Sequence, residues 1–257
     1  MVTPENSANK HLAYGRIILK DGSKDGSKDN AQPVQFATGA RETGFIVLSG
    51  EATVSVDGQN FALSQYDGVY IPRDSSVQVR TDHHADLAEF SAQVDRRYPL
   101  KVVRYAELSQ DPALKFTAGA PGQQRHLSIV LGKNVEAGRL LAGFTISEPG
   151  NWTSWPPHEH AALLEEMYVY FDMPDPAFGI QLVYNETQYP ELVTVVRDGD
   201  AVLMPSGYHP NVSIPGHRIC FLWAMAANRE VKDRQFGVVN VQPGFGAVAS
   251  GLEASRK

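Results

Sequence analysis

The chain is dominated by short apolar runs, and this pattern constrains its fold more than any other feature of the sequence. Each run is three to seven residues long, and Gly, Pro, Asp and Asn separate the runs, as in the strands of a sandwich or barrel. The runs include Phe45–Leu48, Ala52–Val56, Val69–Pro72, Val77–Val79, Leu140–Ile146, Met167–Phe171, Gln181–Tyr184, Leu192–Val196, Ala201–Met204 and Ile219–Trp223. Helical periodicity is weak, and we predict short helices only at Tyr105–Gln110 and Ala161–Glu165. The sequence therefore predicts an all-β protein.

An internal repeat indicates two copies of one β unit. Asp67–Pro72 resembles Asp200–Pro205 at a constant offset, since 200 − 67 = 133 and 205 − 72 = 133. In each copy an acidic turn precedes an apolar strand that ends at a proline. We predict an N-terminal unit at 1–115 and a C-terminal unit at 120–257, joined within 111–124 and packed as one rigid body.

The composition excludes several classes of function. Apolar residues make up 42 % of the 257 residues, and the net charge is 23 − 29 = −6 without a long basic run, so we expect no nucleic-acid partner. No stretch approaches the roughly 18 apolar residues of a membrane span. The N-terminus, Met1–Lys10, is polar, which predicts a cytoplasmic protein without a membrane partner.

Two local features predict structure rather than function. Cys220 is the single cysteine and lies within the apolar run Ile219–Trp223. We therefore expect a buried thiol and no disulfide within the chain. The tandem repeat of turn formers at Asp21–Asn30 is predicted to be a flexible surface loop.

The C-terminal half carries a pattern that is typical of metal ligands. His158 and His160 are two residues apart, and on a β-strand such side chains project from the same face. A glutamate on the following strand and His209 could complete a set of four ligands. Imidazole and carboxylate suit Zn, Fe, Mn or Ni and leave room for water or substrate. The N-terminal copy has Ser76 at the position equivalent to His209, since 209 − 133 = 76, and is predicted to lack a metal site.

The residues alone leave two glutamates open as the third ligand. Glu165 lies five residues after the second histidine, and this spacing favours it. Choosing Glu165 would turn the odd-numbered side chains of Met167–Phe171 toward the barrel interior, whereas choosing Glu166 would turn Tyr168 and Tyr170 inward.

Several stretches resemble the 5-deoxy-glucuronate isomerase family of inositol catabolism and, more distantly, the 5-keto-4-deoxyuronate isomerases. The matching stretches are Gly150–His160, Leu164–Tyr168, Phe178–Tyr184 and Asp198–Pro210, with looser matches at Leu48–Val54 and Val69–Pro72. The resemblance implies a bicupin, which has two double-stranded β-helix (jelly-roll) barrels and a divalent metal in the C-terminal barrel. It also implies an isomerase that interconverts the aldose and ketose forms of a deoxy-uronic acid.

The resemblance also assigns residues to roles. It implies that the metal ligands are His158, His160, Glu166 and His209, with Zn as the first candidate ion and Mn, Fe or Ni as alternatives; the Glu-Met-Tyr match places the third ligand at Glu166. The chain departs from the family in the short link Ala161–Leu164 and in the tail from Arg229 onward.

An aldose–ketose isomerase needs a group that moves a proton and a cation that binds the substrate carboxylate. Candidates for the proton transfer are Glu165, Tyr168, Tyr184 and Tyr208, and candidates for substrate binding are Arg125, Arg197 and Trp155. A register with Glu166 facing inward leaves an outward apolar stripe of Met167, Val169 and Phe171, which predicts a contact with the other barrel or with a second subunit in a homo-oligomer. The alternatives are a cupin dioxygenase that uses the same ligands with Fe(II), and a non-catalytic sugar-binding cupin.

Overall fold

The N-terminal half folds into two antiparallel sheets in a computed structural model, which describes residues 1–20 and 32–245. The half contains β1 (Ala13–Leu19), β2 (Val34–Ala37), β3 (Arg41–Gly50), β4 (Ala52–Val56), β5 (Gln59–Leu63), β6 (Gly68–Ile71), β7 (Ser76–Arg80), β8 (Ala85–Gln93) and β9 (Lys101–Val103). One sheet has the order β1-β8-β3-β6-β9 and the other β2-β7-β4-β5. Apolar side chains such as Phe45, Val54 and Val79 fill the space between the sheets and are fully buried. The predicted loop Asp21–Asn30 lies outside the described residues.

The C-terminal half repeats this arrangement after the short helix α1 (Tyr105–Leu108). Its strands are β10 (Lys115–Ala118), β11 (Arg125–Leu131), β12 (Leu140–Ser147), β13 (Trp152–Thr153), β14 (His158–Glu159), β15 (Leu164–Tyr170), β16 (Gly179–Val183), β17 (Leu192–Val196), β18 (Ala201–Met204), β19 (Asn211–Ser213), β20 (Cys220–Ala227) and β21 (Asn240–Val241). Three sheets have the orders β10-β11-β12-β20-β15-β18, β13-β19-β16-β17 and β14-β21. The prediction of an all-β chain with two jelly-roll barrels is confirmed.

The internal repeat of the sequence corresponds to equivalent strands in the two barrels. Strand β6 begins and ends 133 residues before β18. Thr43 of β3 is opposite Ile71 of β6, and Glu166 of β15 is opposite Met204 of β18, so both pairs are related by the repeat. Thr43 is therefore the structural counterpart of Glu166 in the N-terminal barrel.

The two barrels share one apolar core. Met167, Val169 and Phe171 are buried together with Ile46 and Phe90 of the N-terminal half. Of the two contacts predicted for this stripe, the structure shows the contact between barrels, and Glu166, Tyr168 and Tyr170 consequently face the interior of their own barrel.

Two buried glutamates connect the barrels reciprocally. The carboxylate of Glu42 accepts hydrogen bonds from the backbone N–H groups of residues 138–140, where β12 begins. The carboxylate of Glu165 accepts three such bonds from residues 10–12, where β1 begins. Each barrel thus satisfies backbone donors that lead into a strand of the other, β1 or β12.

The helix predicted at Ala161–Glu165 is wrong. The N–H groups of Leu163 and Leu164 both bond to the carbonyl of His160, which makes a single turn, and β15 begins at Leu164 because it pairs with β18 and β20. The helix predicted from Tyr105 is shorter than expected and ends at Leu108. The described residues include no helix of the length and apolarity that crossing a bilayer requires. Cys220 is free and buried as predicted, and burial raises the pKa of its thiol to about 12.

Candidate metal centre

Three histidines and one glutamate converge inside the C-terminal barrel. His158 lies in β14, His160 follows it, and His209 follows the turn after β18, where Gly207 adopts a φ of 96°. Ring nitrogens of the three histidines lie within 4.8 Å of one another. Glu166 Oε2 lies 2.9 Å from His160 Nε2 and 3.1 Å from His209 Nε2. The short link after His160 brings the glutamate strand directly beside the histidines.

Backbone carbonyls fix the orientation of all three imidazole rings. The Nδ1 atoms of the three histidines lie 2.8, 3.1 and 2.8 Å from the carbonyl oxygens of Pro156, Leu164 and Gly207, respectively. A carbonyl only accepts, so each Nδ1 donates its proton and each ring directs its Nε2 into the cluster, where a deprotonated Nε2 would offer its lone pair to an ion. Partners of this kind orient the histidine ligands of metal sites.

The cluster combines a neutral imidazole with an ionised carboxylate. Burial, followed by the neighbouring histidines, lowers the pKa of His158 to about 3, so this ring is neutral. Burial opposes ionisation of Glu166, but the charge and hydrogen bond of His160 outweigh it and lower the pKa of Glu166 to about 2. The same pairing outweighs burial at His160 and raises its pKa.

One buried nitrogen provides a test of whether a metal fits. His209 Nε2 is close to Glu166 but outside hydrogen-bond geometry, and it has no hydrogen-bond partner among the described residues. A buried polar atom without a partner costs free energy. Imidazole nitrogens and a carboxylate about 2 Å from a common centre are the donors that divalent transition metals prefer. The residues therefore fit a divalent ion.

A cavity of about 60 Å³ adjoins the cluster. Its lining includes Arg125, Thr145, Ser154, His158, His160, Glu166, Tyr168, Trp223 and Phe236. The buried guanidinium of Arg125 donates to the carbonyl oxygens of Trp155 at 2.8 Å and Gln123 at 3.2 Å. The cavity thus combines a fixed positive charge with three of the four clustered side chains, those of His158, His160 and Glu166.

Tyr168 presents a neutral phenol to this cavity. Its hydroxyl lies 2.7 Å from Ser154 Oγ. Burial and the charge of Glu166 raise the pKa of Tyr168 well above its ordinary value. The phenol therefore stays protonated and can donate a hydrogen bond.

A C-terminal strap, which we define as Phe236–Gln242, covers the cavity. Residues 236–239 form part of the wall. Strand β21 pairs with β14, so that His158 is opposite Val241. The N–H of Gln242 donates to the carbonyl of Pro157. The strap therefore packs directly on the strand that carries the first histidine.

Glu165 is not brought to the cluster, which corrects its prediction as a proton-transfer residue. Adjacent residues of β15 face opposite sides, and Glu165 is bound to the backbone of residues 10–12. Arg197 is exposed in the turn after β17 and is not among the residues that line the cavity of the cluster.

Three predicted aromatic residues likewise do not line the cavity of the cluster. Tyr184 and Tyr208 form a β-bridge with each other, and the Tyr184 hydroxyl donates to Gln242. Trp155 lies with Tyr184 on a separate cavity of about 340 Å³. Their closeness in sequence to the histidine motifs did not indicate which way the side chains face.

Sequence reasoning missed two residues of the site. Ser154, at a φ of 51°, contacts Tyr168 and lies within a stretch that resembles the family, but its role was not predicted. Phe236 lies in the tail where the sequence departs from the family, and it stacks on Trp223 with ring centroids 5.0 Å apart. The departure of this tail from the family sequence was the signal that could have drawn attention to Phe236.

Known structures agree with the two-barrel fold. An IolB-like protein from Salmonella typhimurium LT2 superposes with a TM-score of 0.82 at 22 % identity, over 95 % of this chain and 92 % of that one. Oxalate decarboxylase from Bacillus subtilis gives a TM-score of 0.65 at 12 % identity, over 94 % and 74 % of the two chains. The two barrels and these likenesses define the chain as a bicupin.

The sequence profile of the KduI/IolB family matches residues 1–239. The chain belongs to this family. It is 26 % identical over 243 residues to a 5-deoxy-glucuronate isomerase from Geobacillus thermodenitrificans, covering 88 % of this chain and 83 % of the relative. It is 30 % identical to a 4-deoxy-L-threo-5-hexosulose-uronate ketol-isomerase from Caldicellulosiruptor bescii, covering 83 % and 75 %.

Proposed function

We propose that the chain is a metal-dependent aldose–ketose isomerase that acts on a deoxy-uronic acid. The observation that carries this proposal is the convergence of three imidazole Nε2 atoms and an ionised carboxylate beside a cavity that also contains Arg125 and Tyr168. The names of the curated relatives supply the substrate class. The enzyme would act in inositol or uronate catabolism.

The proposed ligands are His158, His160, Glu166 and His209, all within the unit that we place at 120–257. Zn is the first candidate, and Mn, Fe or Ni would suit the same donors. When bound, a divalent ion would polarise the substrate carbonyl as a Lewis acid.

The remaining groups of the cavity would bind and orient the substrate. The buried charge of Arg125, fixed by two backbone carbonyls, complements a uronate carboxylate. The isomerisation moves a proton between adjacent carbons and another between their oxygens. The phenol of Tyr168, positioned by Ser154, would donate to one of these oxygens and hold the proton there.

Elemental analysis of the purified protein, combined with a uronate isomerisation assay, tests the proposal. Removing the metal should abolish ketol isomerisation, and restoring it should recover the rate. Oxygen consumption without isomerisation would instead indicate a dioxygenase. Isomerisation that persists in fully metal-free protein would refute the proposed mechanism.

A pair of tyrosine variants tests the assignment of the phenol. Tyr168→Phe should lower kcat by about 10²- to 10⁴-fold, as expected when a proton donor is lost, while metal content stays unchanged. Tyr184→Phe is the matched control, because it also loses one hydroxyl but lies outside the cavity of the cluster. Equal activity of the two variants would exclude Tyr168 from the reaction.

A further inference from the structure

The mouth of the N-terminal barrel contains a cavity that the proposed isomerase does not use. Its volume is about 790 Å³, within the range of about 300 to 1,000 Å³ that is usual for small-molecule sites. The polar lining comes from the inner faces of β3 and β8 and includes Arg41, Thr43, Glu89 and Ser91. Among residues 1–20 and 32–245, no side chain packs this barrel end closed.

This cavity is the structural counterpart of the one beside the histidines. Thr43 is opposite Ser91 in the register in which Glu166 is opposite Met225. At the same end of the barrel, the C-terminal unit therefore has Glu166 beside the histidines, and the N-terminal unit has the hydroxyl side chains of Thr43 and Ser91.

A glycine in the neighbouring strand supports the comparison. Gly15 is opposite Glu89, as Gly143 is opposite Trp223. A Cβ atom at Gly15 would lie 3.1 Å from Glu89 Oε2, and one at Gly143 would lie 2.4 Å from the Trp223 ring. A glycine inside a strand weakens the strand and commonly marks a place where another group approaches closely. In the N-terminal barrel, the group that lies beside the glycine is the carboxylate of Glu89.

The Glu89 carboxylate is an acceptor without a donor. No residue of the described ranges donates a hydrogen bond to it, and burial raises its pKa although the charge of Arg41 opposes that rise. Because Glu89 is only partly buried, its carboxylate is reached from the cavity and is available to a ligand that donates hydrogen bonds to it.

The guanidinium of Arg41 supplies the complementary donor. Its Nε donates to Ser91 Oγ at 3.3 Å on the floor of the cavity. A second guanidinium on the wall, that of Arg16, is already paired with Asp86 at 2.6 Å. The cavity therefore contains one acceptor and one donor of opposite charge.

The chemistry of this pair selects the class of ligand. A hydroxyl group donates to a carboxylate and accepts from a guanidinium, so neighbouring hydroxyls satisfy both. The charges of Arg41 and Glu89 offset each other, and Glu5 adds a further acidic group at the wall, which disfavours an anion. Phe36 and Ile18 give an apolar surface for carbon-bound hydrogens. We propose that the N-terminal barrel binds a small neutral polyhydroxylated ligand of the aldose type through Glu89 and Arg41.

Isothermal titration of the full chain with D-glucose, and separately with D-glucuronate, tests this proposal. With probe concentrations up to about 20 mM, glucose should bind at one site per chain. Chelation of metal and the variant His209→Ala should leave this binding unchanged, which separates it from the proposed isomerase site. Glu89→Gln and Arg41→Gln should each weaken it by about tenfold or more.

Thermal unfolding of both variants shows whether they are folded, so that a loss of binding reports on the site. No binding of glucose, or binding that is lost in His209→Ala and kept in Glu89→Gln, would overturn the proposal. Tighter binding of glucuronate than of glucose in the His209→Ala protein would overturn the assignment of a neutral ligand.

Discussion

Replacing Glu165 with Gln is expected to destabilise the protein while leaving its metal content unchanged. Replacing Glu166 with Gln should instead lower the affinity for metal and leave the stability of the metal-free protein unchanged. The two residues are adjacent on β15 and face opposite sides. Glu166 belongs to the histidine cluster, whereas the Glu165 carboxylate is 3 % exposed and bound to the backbone that leads into β1.

The magnitude for Glu165→Gln follows from its three hydrogen bonds. Lys10 N donates to Oε2 at 2.7 Å, and His11 N and Leu12 N donate to Oε1 at 2.7 and 2.5 Å. The amide retains only one acceptor oxygen, so at least one N–H faces an NH₂ group and loses its partner. With about 1.5 to 3 kcal/mol for each bond to a charged group, the loss should be about 2 to 5 kcal/mol. At about 2 to 4 °C per kcal/mol, Tm should fall by about 4 to 20 °C.

The expected effect of Glu166→Gln is on the ion. A carboxamide lacks the negative charge, and metal affinity should fall by more than the roughly 10- to 100-fold that is typical of residues acting through a ligand. Metal titration and thermal unfolding in the presence of chelator measure the two effects separately. Glu42→Gln is the matched control, because it breaks the reciprocal contact and should lower Tm without changing metal affinity. Loss of the ion in Glu165→Gln at an unchanged Tm would refute the register of β15.

Three further outcomes are expected. Substituting Ala for any of the three clustered histidines should abolish a stoichiometry of one metal per chain while the far-ultraviolet circular dichroism is retained; two ions per wild-type chain would contradict a metal-free N-terminal barrel. Burial raises the pKa of Glu89 in the folded protein above 4.5, so the folded state loses stability as the pH rises from 4.5 through that folded-state pKa. Glu89→Gln should therefore raise Tm more at pH 8 than at pH 4. Equal shifts of Tm at the two pH values would contradict this. Glu159 accepts a hydrogen bond from Asn240 of the C-terminal strap, and Glu159→Ala should accelerate amide hydrogen exchange in 237–242; unchanged exchange would show that this contact does not hold the strap.

The sequence predicted the features that depend on local pattern. The strands, the two equivalent units and the clustering of the three histidines follow from residue spacing and from the repeat. Spacing favoured Glu165 as the ligand and the family resemblance favoured Glu166, while strand alternation states only that the two face opposite sides. In the structure, the Glu165 carboxylate is turned away from the histidines because it accepts hydrogen bonds from the backbone N–H groups of residues 10–12. These donors are 153 to 155 residues away in the sequence, and no local pattern shows them.

The same limit explains the residues that were misplaced around the cavity. Tyr184 and Tyr208 lie near the motif that contains His209, yet they pair with each other on a different side of the barrel. Arg125, far from that motif in sequence, does line the cavity because β11 and β12 pair so that Arg125 is opposite Ser147. Whether a residue lines the cavity depends on which strands pair with each other, and the strand pairing is seen only in the three-dimensional structure.

The reciprocal glutamates explain how two barrels of one design can differ so much at their mouths. Glu42 and Glu165 occupy equivalent positions, opposite Ala92 and Ala226 of the adjacent strands, and each satisfies the backbone of the other barrel. This contact lies on the faces between the barrels, whereas the next residue in each strand, Thr43 or Glu166, faces an interior. The scaffold is therefore stabilised by one set of alternating positions, and the other set is free to differ, with Glu166 beside the histidines in one barrel and Thr43 at the second cavity in the other.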